Sequence, residues 1–359
     1  MPSDGTKVTG MEIVDRSIVK SIRSIVSNLD RTDLVGAFDG ICHVQTKRHR
    51  EFLFVNHELD DSAKVSRITY KDGACKKIEY WNDNGLRTLC SMFTTPWNTI
   101  LTNEEHPGGY VWELHPTDPT VCKKRPLLGK MKHEKTIYVP TNGPSRYDFY
   151  TTDDNRTGGG IFKFTPKRYT KLSKGRLYGF TSTTGKVGDA KIRGRWKRVH
   201  EPENATTLDG LVSFLKLEGL TYNTYDNHIY FCVSADNRHG GLGYIYKLNP
   251  RTCTAKMVVN CNETNGALAN PDNIGSDPFG NLYVCEGKKV TKGGVPNRLV
   301  YIDSKTHEIK TLLKGTDEKG EVTGIEFDKR NYARFWVNWK DGVKDGREYS
   351  ELLEVHLEQ

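Results

Sequence analysis

Gly109-Tyr110-Val111-Trp112-Glu113-Leu114-His115-Pro116, Gly160-Ile161-Phe162-Lys163-Phe164-Thr165-Pro166 and Gly243-Tyr244-Ile245-Tyr246-Lys247-Leu248-Asn249-Pro250 share one shape: a glycine, an apolar and aromatic run, then a proline. Glycine suits the tight entry to a strand, aromatic and β-branched residues suit a half-buried sheet face, and proline ends the pairing. A second shape, a turn followed by an aromatic strand, recurs at Asp226-Asn227-His228-Ile229-Tyr230-Phe231, at Asp277 to Val284 and at Asn331 to Val337. Read as two strands of one repeated unit with a period of roughly 40–50 residues, they predict an all-β chain of the β-propeller class with about six blades. A pair of β-sandwiches is the alternative, because the intervals are uneven. The stretch Ser182 to Arg195 reads as a long loop between strands.

Composition points the same way. The 359 residues include 34 glycines and 17 tyrosines, as expected of many short strands joined by tight turns. Ahead of the repeats, Ile13, Val14, Ile18, Val19, Ile22, Ile25, Val26 and Leu29 recur at spacings of three and four, which predicts an amphipathic helix over 11–29. The expected organisation is therefore a helical extension over 1–35 and one propeller domain over 36–359. No stretch approaches the roughly eighteen apolar residues of a membrane helix. Compartment stays open: secreted or periplasmic if a leader has been removed, otherwise cytoplasmic.

The formal net charge is +8, and its densest basic run lies at Lys186, Lys191, Arg193, Arg195, Lys197 and Arg198. No nucleic-acid motif accompanies it, so it reads as a solvated face and no nucleic-acid partner is expected. Eight cysteines never form a Cys-x-x-Cys pair, which argues against a zinc knuckle or a thioredoxin-like motif. Their even number permits disulfides, with Cys253 and Cys261 spaced as partners in one hairpin, and buried free thiols acting as plain hydrophobes are the equal alternative. Gly-x-Ser-x-Gly, Walker-type and His-Glu-x-x-His signatures are all missing, so serine-hydrolase, P-loop and zincin chemistry lose their support.

Acidic clusters close several strand-like runs: Asn56-His57-Glu58, Asn103-Glu104-Glu105, Asp153-Asp154 and Pro271-Asp272-Asn273, with Glu218 and Glu286 alone. Carboxylates converging from several blade edges would make a hard-cation site, since Ca²⁺ takes six to eight oxygen ligands. The candidate ligands are therefore Glu58, Glu104, Glu105, Asp154, Glu218, Asp272, Asn273 and Glu286. His57 and His106 lie close to these clusters and read as hydrogen-bonded structural histidines, with a role as acid, base or ligand the alternative.

The order of motifs resembles the PhoX-type alkaline phosphatase family. Phe54-Val55-Asn56-His57-Glu58-Leu59, Cys90, Thr95-Pro96-Trp97-Asn98-Thr99-Ile100-Leu101-Thr102-Asn103-Glu104-Glu105, Phe214-Leu215-Lys216-Leu217-Glu218-Gly219, Pro271-Asp272-Asn273-Ile274 and Thr323-Gly324-Ile325-Glu326-Phe327 follow one another as they do there. The resemblance implies a six-bladed propeller that hydrolyses phosphate esters with calcium and iron, Cys90 serving as the iron-binding thiolate and glutamates as further ligands. Two departures stand out: glycines in 158–164 where the family carries an acid, and Asn338-Trp339-Lys340-Asp341-Gly342 in place of Gln-His-Pro-Gly. The expected function is metal-dependent hydrolysis of a phosphorylated or otherwise anionic small molecule. The alternatives are a calcium-dependent, lactonase-like propeller enzyme holding one cation on Asp272 or Asn273, and a non-enzymatic binding propeller.

Overall fold

The computed structural model describes residues 10–46, 50–71, 74–234, 241–287 and 297–358. It is a β-propeller built from antiparallel meanders, each running outward from a central channel. The first opens with Ala37–Gln45 and continues through Glu51–Glu58, Ala63–Lys71 and Ala74–Leu86. The next ones open with Leu89–Thr94, His133–Pro140, Leu217–Asn223, Pro271–Ser276 and Glu321–Phe327. Each of these six innermost strands contacts the next, and Glu321–Phe327 contacts Ala37–Gln45, so the ring closes on itself. Each sheet buries both faces against its neighbours, which is why the innermost strands are almost continuously buried.

The two repeated sequence shapes keep one place each. Those beginning with glycine become third strands, Val111–His115, Ile161–Pro166 and Tyr244–Asn249. Those beginning with a turn become second strands, His228–Val233, Leu282–Glu286 and Arg334–Lys344.

The expected N-terminal helix is not formed. Met11–Ile13 pairs with the outer strand Ile309–Gly315, and Val19–Ser27 pairs with Arg347–Leu357 at the C-terminal end of the chain. The segment therefore belongs to the propeller sheets, as the outer strand of the last meander, instead of standing apart as a helical extension. The physical reason lies in its β-branched residues and in two register irregularities, at Val19/Ser21 and Ser24/Val26. Each inserts a residue that breaks period two, and the resulting apolar spacing imitates a helix.

Ser182 to Arg195 is likewise mostly strand. Gly175–Thr184 pairs with Lys191–Val199, and Lys191–Arg193 pairs in turn with Thr254–Lys256, joining two meanders into one nine-stranded sheet. The basic run lies along this strand, with Lys191, Arg193 and Arg195 exposed. All eight cysteines are free thiols, Cys253 and Cys261 included. No helix among the described residues is long and apolar enough to cross a membrane.

Candidate metal centre

In every inner hairpin the first and second strands pair at one equivalent place: Phe38 with His57, Leu89 with Glu104, His133 with Asp153, Leu217 with Val233, Pro271 with Glu286 and Val322 with Trp339. One residue further along the first strand stand Asp39, Cys90, Glu134, Glu218, Asp272 and Thr323. One residue further along the second stand Glu58, Glu105, Asp154, Ser234, Gly287 and Lys340. All twelve line a single cavity of about 550 Å³ at the channel mouth. The register slips just beyond the pair in the first five meanders, so a bulge sits at the first-strand position there and turns its side chain into the channel; in the last, Thr323 still pairs with Asn338 and the slip follows at Gly324. Gly219 shows how close the backbones come there, since a Cβ on it would lie 2.8 Å from the Asp272 carbonyl oxygen.

This repeat separates the sequence candidates. Glu58, Cys90, Glu105, Asp154, Glu218, Asp272 and Asn273 line the cavity; Glu104 and Glu286 do not. Those two occupy the paired position itself, which faces away from the channel, and each fastens its own meander. Glu104 accepts from the Arg87 and Tyr110 N–H groups at 3.2 and 3.0 Å. Glu286 accepts from the Ala269 N–H at 2.9 Å and binds the Arg298 guanidinium. The equivalent Asp153 accepts from the Lys132 N–H at 3.0 Å. Asn273 has its amide committed, accepting from Gly324 N–H and donating to Asp272 Oδ1 at 2.8 Å. His57 is buried between the Val35 carbonyl and Ser66, and His106 bonds the Pro107 carbonyl, so both are structural.

The structure adds residues that sequence reading did not single out. They are Glu134, Asp39 and Glu321, which complete the acidic wall. Three lysines lie among the carboxylates. Lys132 binds Glu105 at 3.0 Å and Asp154 at 3.5 Å, Lys216 binds Glu218 at 2.6 Å, and Lys340 binds Asp39 at 2.5 Å together with Glu58. Behind them is a belt of amides. Asn56 donates to the Cys90 carbonyl at 2.8 Å, Asn103 to the Glu134 carbonyl at 3.2 Å, and Asn338 to the Asp39 carbonyl, each reaching the channel residue of the following meander. Only knowledge of the strand register makes these equivalences visible.

Burial pushes the Asp39 carboxyl up to about 7 and Glu105 up to about 8, partly offset by their lysines. Glu218 rises to about 7 through burial and the nearby Asp154. Glu134 and Asp272 are driven well above the carboxylate range by burial and by neighbouring acids. Eight carboxyl groups line the wall against Lys132, Arg156, Lys216 and Lys340, so the fully ionised wall would carry more negative charge than its own cations balance. Two donor sets have ligand atoms within 4.8 Å of one another: Cys90, Glu105 and Glu134, and Glu134, Glu218 and Asp272. Glu134 is common to both. It accepts from the Cys90 thiol at 2.9 Å through Oε2, while its Oε1 is buried and has no hydrogen-bond partner among the described residues. Buried anions with unsatisfied oxygens fit a bound cation.

The geometry can be set beside known proteins. A search of the curated proteins finds no match. Among solved structures, a protein of unknown function from Dyadobacter fermentans is similar over 94% of this chain and 99% of its own, at 10% identity and a TM-score of 0.53. A gluconolactonase from Xanthomonas campestris aligns over 100% of this chain and 98% of its own, at 10% identity and a TM-score of 0.49. The sequence profile of alkaline phosphatase PhoX matches residues 102–340, a span that holds Glu105, Glu134, Asp154, Glu218, Asp272 and all three lysines, with Cys90 just ahead of it. With well over half of its length matched, the chain belongs to the alkaline phosphatase PhoX family.

Proposed function

We propose that the chain hydrolyses phosphate esters with cations held around Glu134. The observation that carries this reading is Glu134 itself, a buried carboxylate common to two donor sets with one oxygen left without a partner. The donor chemistry differs between the sets. Glu134, Glu218 and Asp272 offer only oxygens, which suits calcium, whereas Cys90 adds a sulfur to Glu105 and Glu134, which suits iron. Such cations polarise a phosphoryl oxygen and lower the pKa of bound water, so no side-chain nucleophile is required.

The chain's own residues supply the rest. The bulges aim the ligands, the amide belt fixes the backbone behind Cys90 and Glu134, and Lys132 and Lys216 hold Glu105, Asp154 and Glu218 in place. Arg156, exposed at the rim of the cavity, brings positive charge to the side from which an anionic small molecule would enter. A lone calcium on Asp272 and Asn273, as a lactonase-like enzyme would use, has weaker support because the Asn273 amide oxygen already accepts from Gly324.

The test is elemental analysis beside turnover of p-nitrophenyl phosphate, for the wild type, Cys90→Ala and Glu134→Gln. Calcium and iron should accompany the wild type, Glu134→Gln should lose both, and Cys90→Ala should lose iron while keeping calcium. Turnover should fall at least about a hundredfold in Glu134→Gln. A metal-free wild type, or a Glu134→Gln protein with unchanged metals and turnover, overturns the reading.

A further inference from the structure

The second-strand positions around the channel are not equivalent in chemistry. Three consecutive meanders place acids there, Glu58, Glu105 and Asp154, while the meander that closes the ring places Lys340. Lys340 reaches across the closure into the next meander, where its ammonium lies 2.5 Å from Asp39 Oδ2 and also contacts Glu58 Oε2. Its side chain is 13% exposed, and Asp39 is 5% exposed. A buried ammonium bridging two carboxylates from two strands of one meander makes the same contacts that a bound cation would make. The Asn338 amide stands behind it, donating to the Asp39 carbonyl, and its own oxygen is buried without a partner. Lys132 also bridges two carboxylates, but those of two adjacent meanders, Glu105 and Asp154.

We propose that Lys340 fills a latent cation site, its tethered ammonium taking the place of a metal ion between Asp39 and Glu58, so that the resident metals are confined to the donor sets around Glu134. Loss of this lysine leaves the buried Asp39 carboxylate and the partly exposed Glu58 carboxylate unneutralised, and two carboxylates brought together on one cation select a hard divalent ion. The cavity is thus partitioned between covalent and exchangeable cations.

The experiment is equilibrium dialysis of wild type and Lys340→Ala against calcium alone, with thermal melting followed in parallel. Lys340→Ala should bind one more calcium per chain than the wild type, and its melting temperature should depend more steeply on calcium. A folded Lys340→Ala protein with wild-type stoichiometry overturns the proposal. If the variant is recovered folded only in calcium, the proposal is supported; if it folds in neither condition, Lys340→Gln, which removes the charge and keeps most of the side-chain volume, is judged by the same count, a gained equivalent supporting it and no gain overturning it. Failure here is separable from failure of the phosphatase reading. A wild type without metal whose Lys340→Ala form gains one ion retains the latent site and loses the proposed function. A metal-loaded wild type whose variant gains none does the reverse.

Discussion

A carboxylate that accepts from two backbone N–H groups is held in place, and Glu104 has two such donors, Arg87 and Tyr110. Glu105, its neighbour, has none; it meets Lys132 and faces the donor set of Cys90 and Glu134. The two residues should therefore separate in experiment. Glu105→Gln should lose the metal bound with Cys90 and most of the turnover, with little change in unfolding. Glu104→Gln should keep its metals and lose stability, by about 1–3 kcal/mol in urea unfolding for an impaired buried acceptor. Equal metal loss in both would contradict the assignment of Glu104 to the fastening of its meander. Sequence placed both at a strand end but could not choose between them, because adjacent residues exchange faces on a one-residue shift of register. Glu134 was invisible for a related reason: it follows His133 with no repeated shape around it, and only its pairing to the equivalents of Cys90 and Glu218 reveals its place.

Elements were legible to the extent that they kept a clean period. Third strands announced themselves by glycine and proline and second strands by their turns, whereas the irregular first strands, which carry the site, did not. Val19–Ser27 misled for the same reason, its two irregularities converting a strand pattern into a helical one. One element-scale feature sets the position of Lys340. The preceding Trp339 is fully buried in a slot walled by Gly10, Gly315, Gly320 and Gly342, and a Cβ on Gly320 would lie 2.1 Å from its ring. These glycines come from three parts of the chain and meet on one indole. Gly320→Ala should cost about 1–3 kcal/mol, the usual range for overpacking a full core. Because displacement of Trp339 also displaces Lys340, it should shift calcium stoichiometry or calcium dependence of melting as well. Dialysis beside urea unfolding checks both, and lost stability with unaltered calcium behaviour would show that the slot serves packing alone.

At the scale of the whole molecule the ring has one seam, where the last meander meets the first and the N-terminal strand covers the last. Glu354 lies at that seam. Its side chain is fully buried, and it accepts from Tyr70 of the first meander and from Arg23 of the N-terminal strand, with His356 at 3.2 Å and Arg334 at 3.5 Å. Burial alone would raise its pKa, but the hydrogen bonds from His356 and Tyr70 and the charge of Arg23 outweigh it and hold the carboxyl near 2. A carboxylate depressed in the fold stabilises it fully above the ordinary value near 4.5, and that stabilisation is lost as pH falls through the window from about 4.5 to about 2. The shift corresponds to roughly 3 kcal/mol at full effect. The wild type should therefore lose stability steeply on acidification through this window. Glu354→Gln should be weakened by a comparable amount at neutral pH and should show a flatter acid limb. Urea unfolding of both proteins at a series of pH values, after metal removal so that the channel contributes alike to each, measures the difference. Parallel acid limbs would mean that the ring is closed by packing, with Trp336 and Leu352 carrying the seam and Glu354 adding nothing to it.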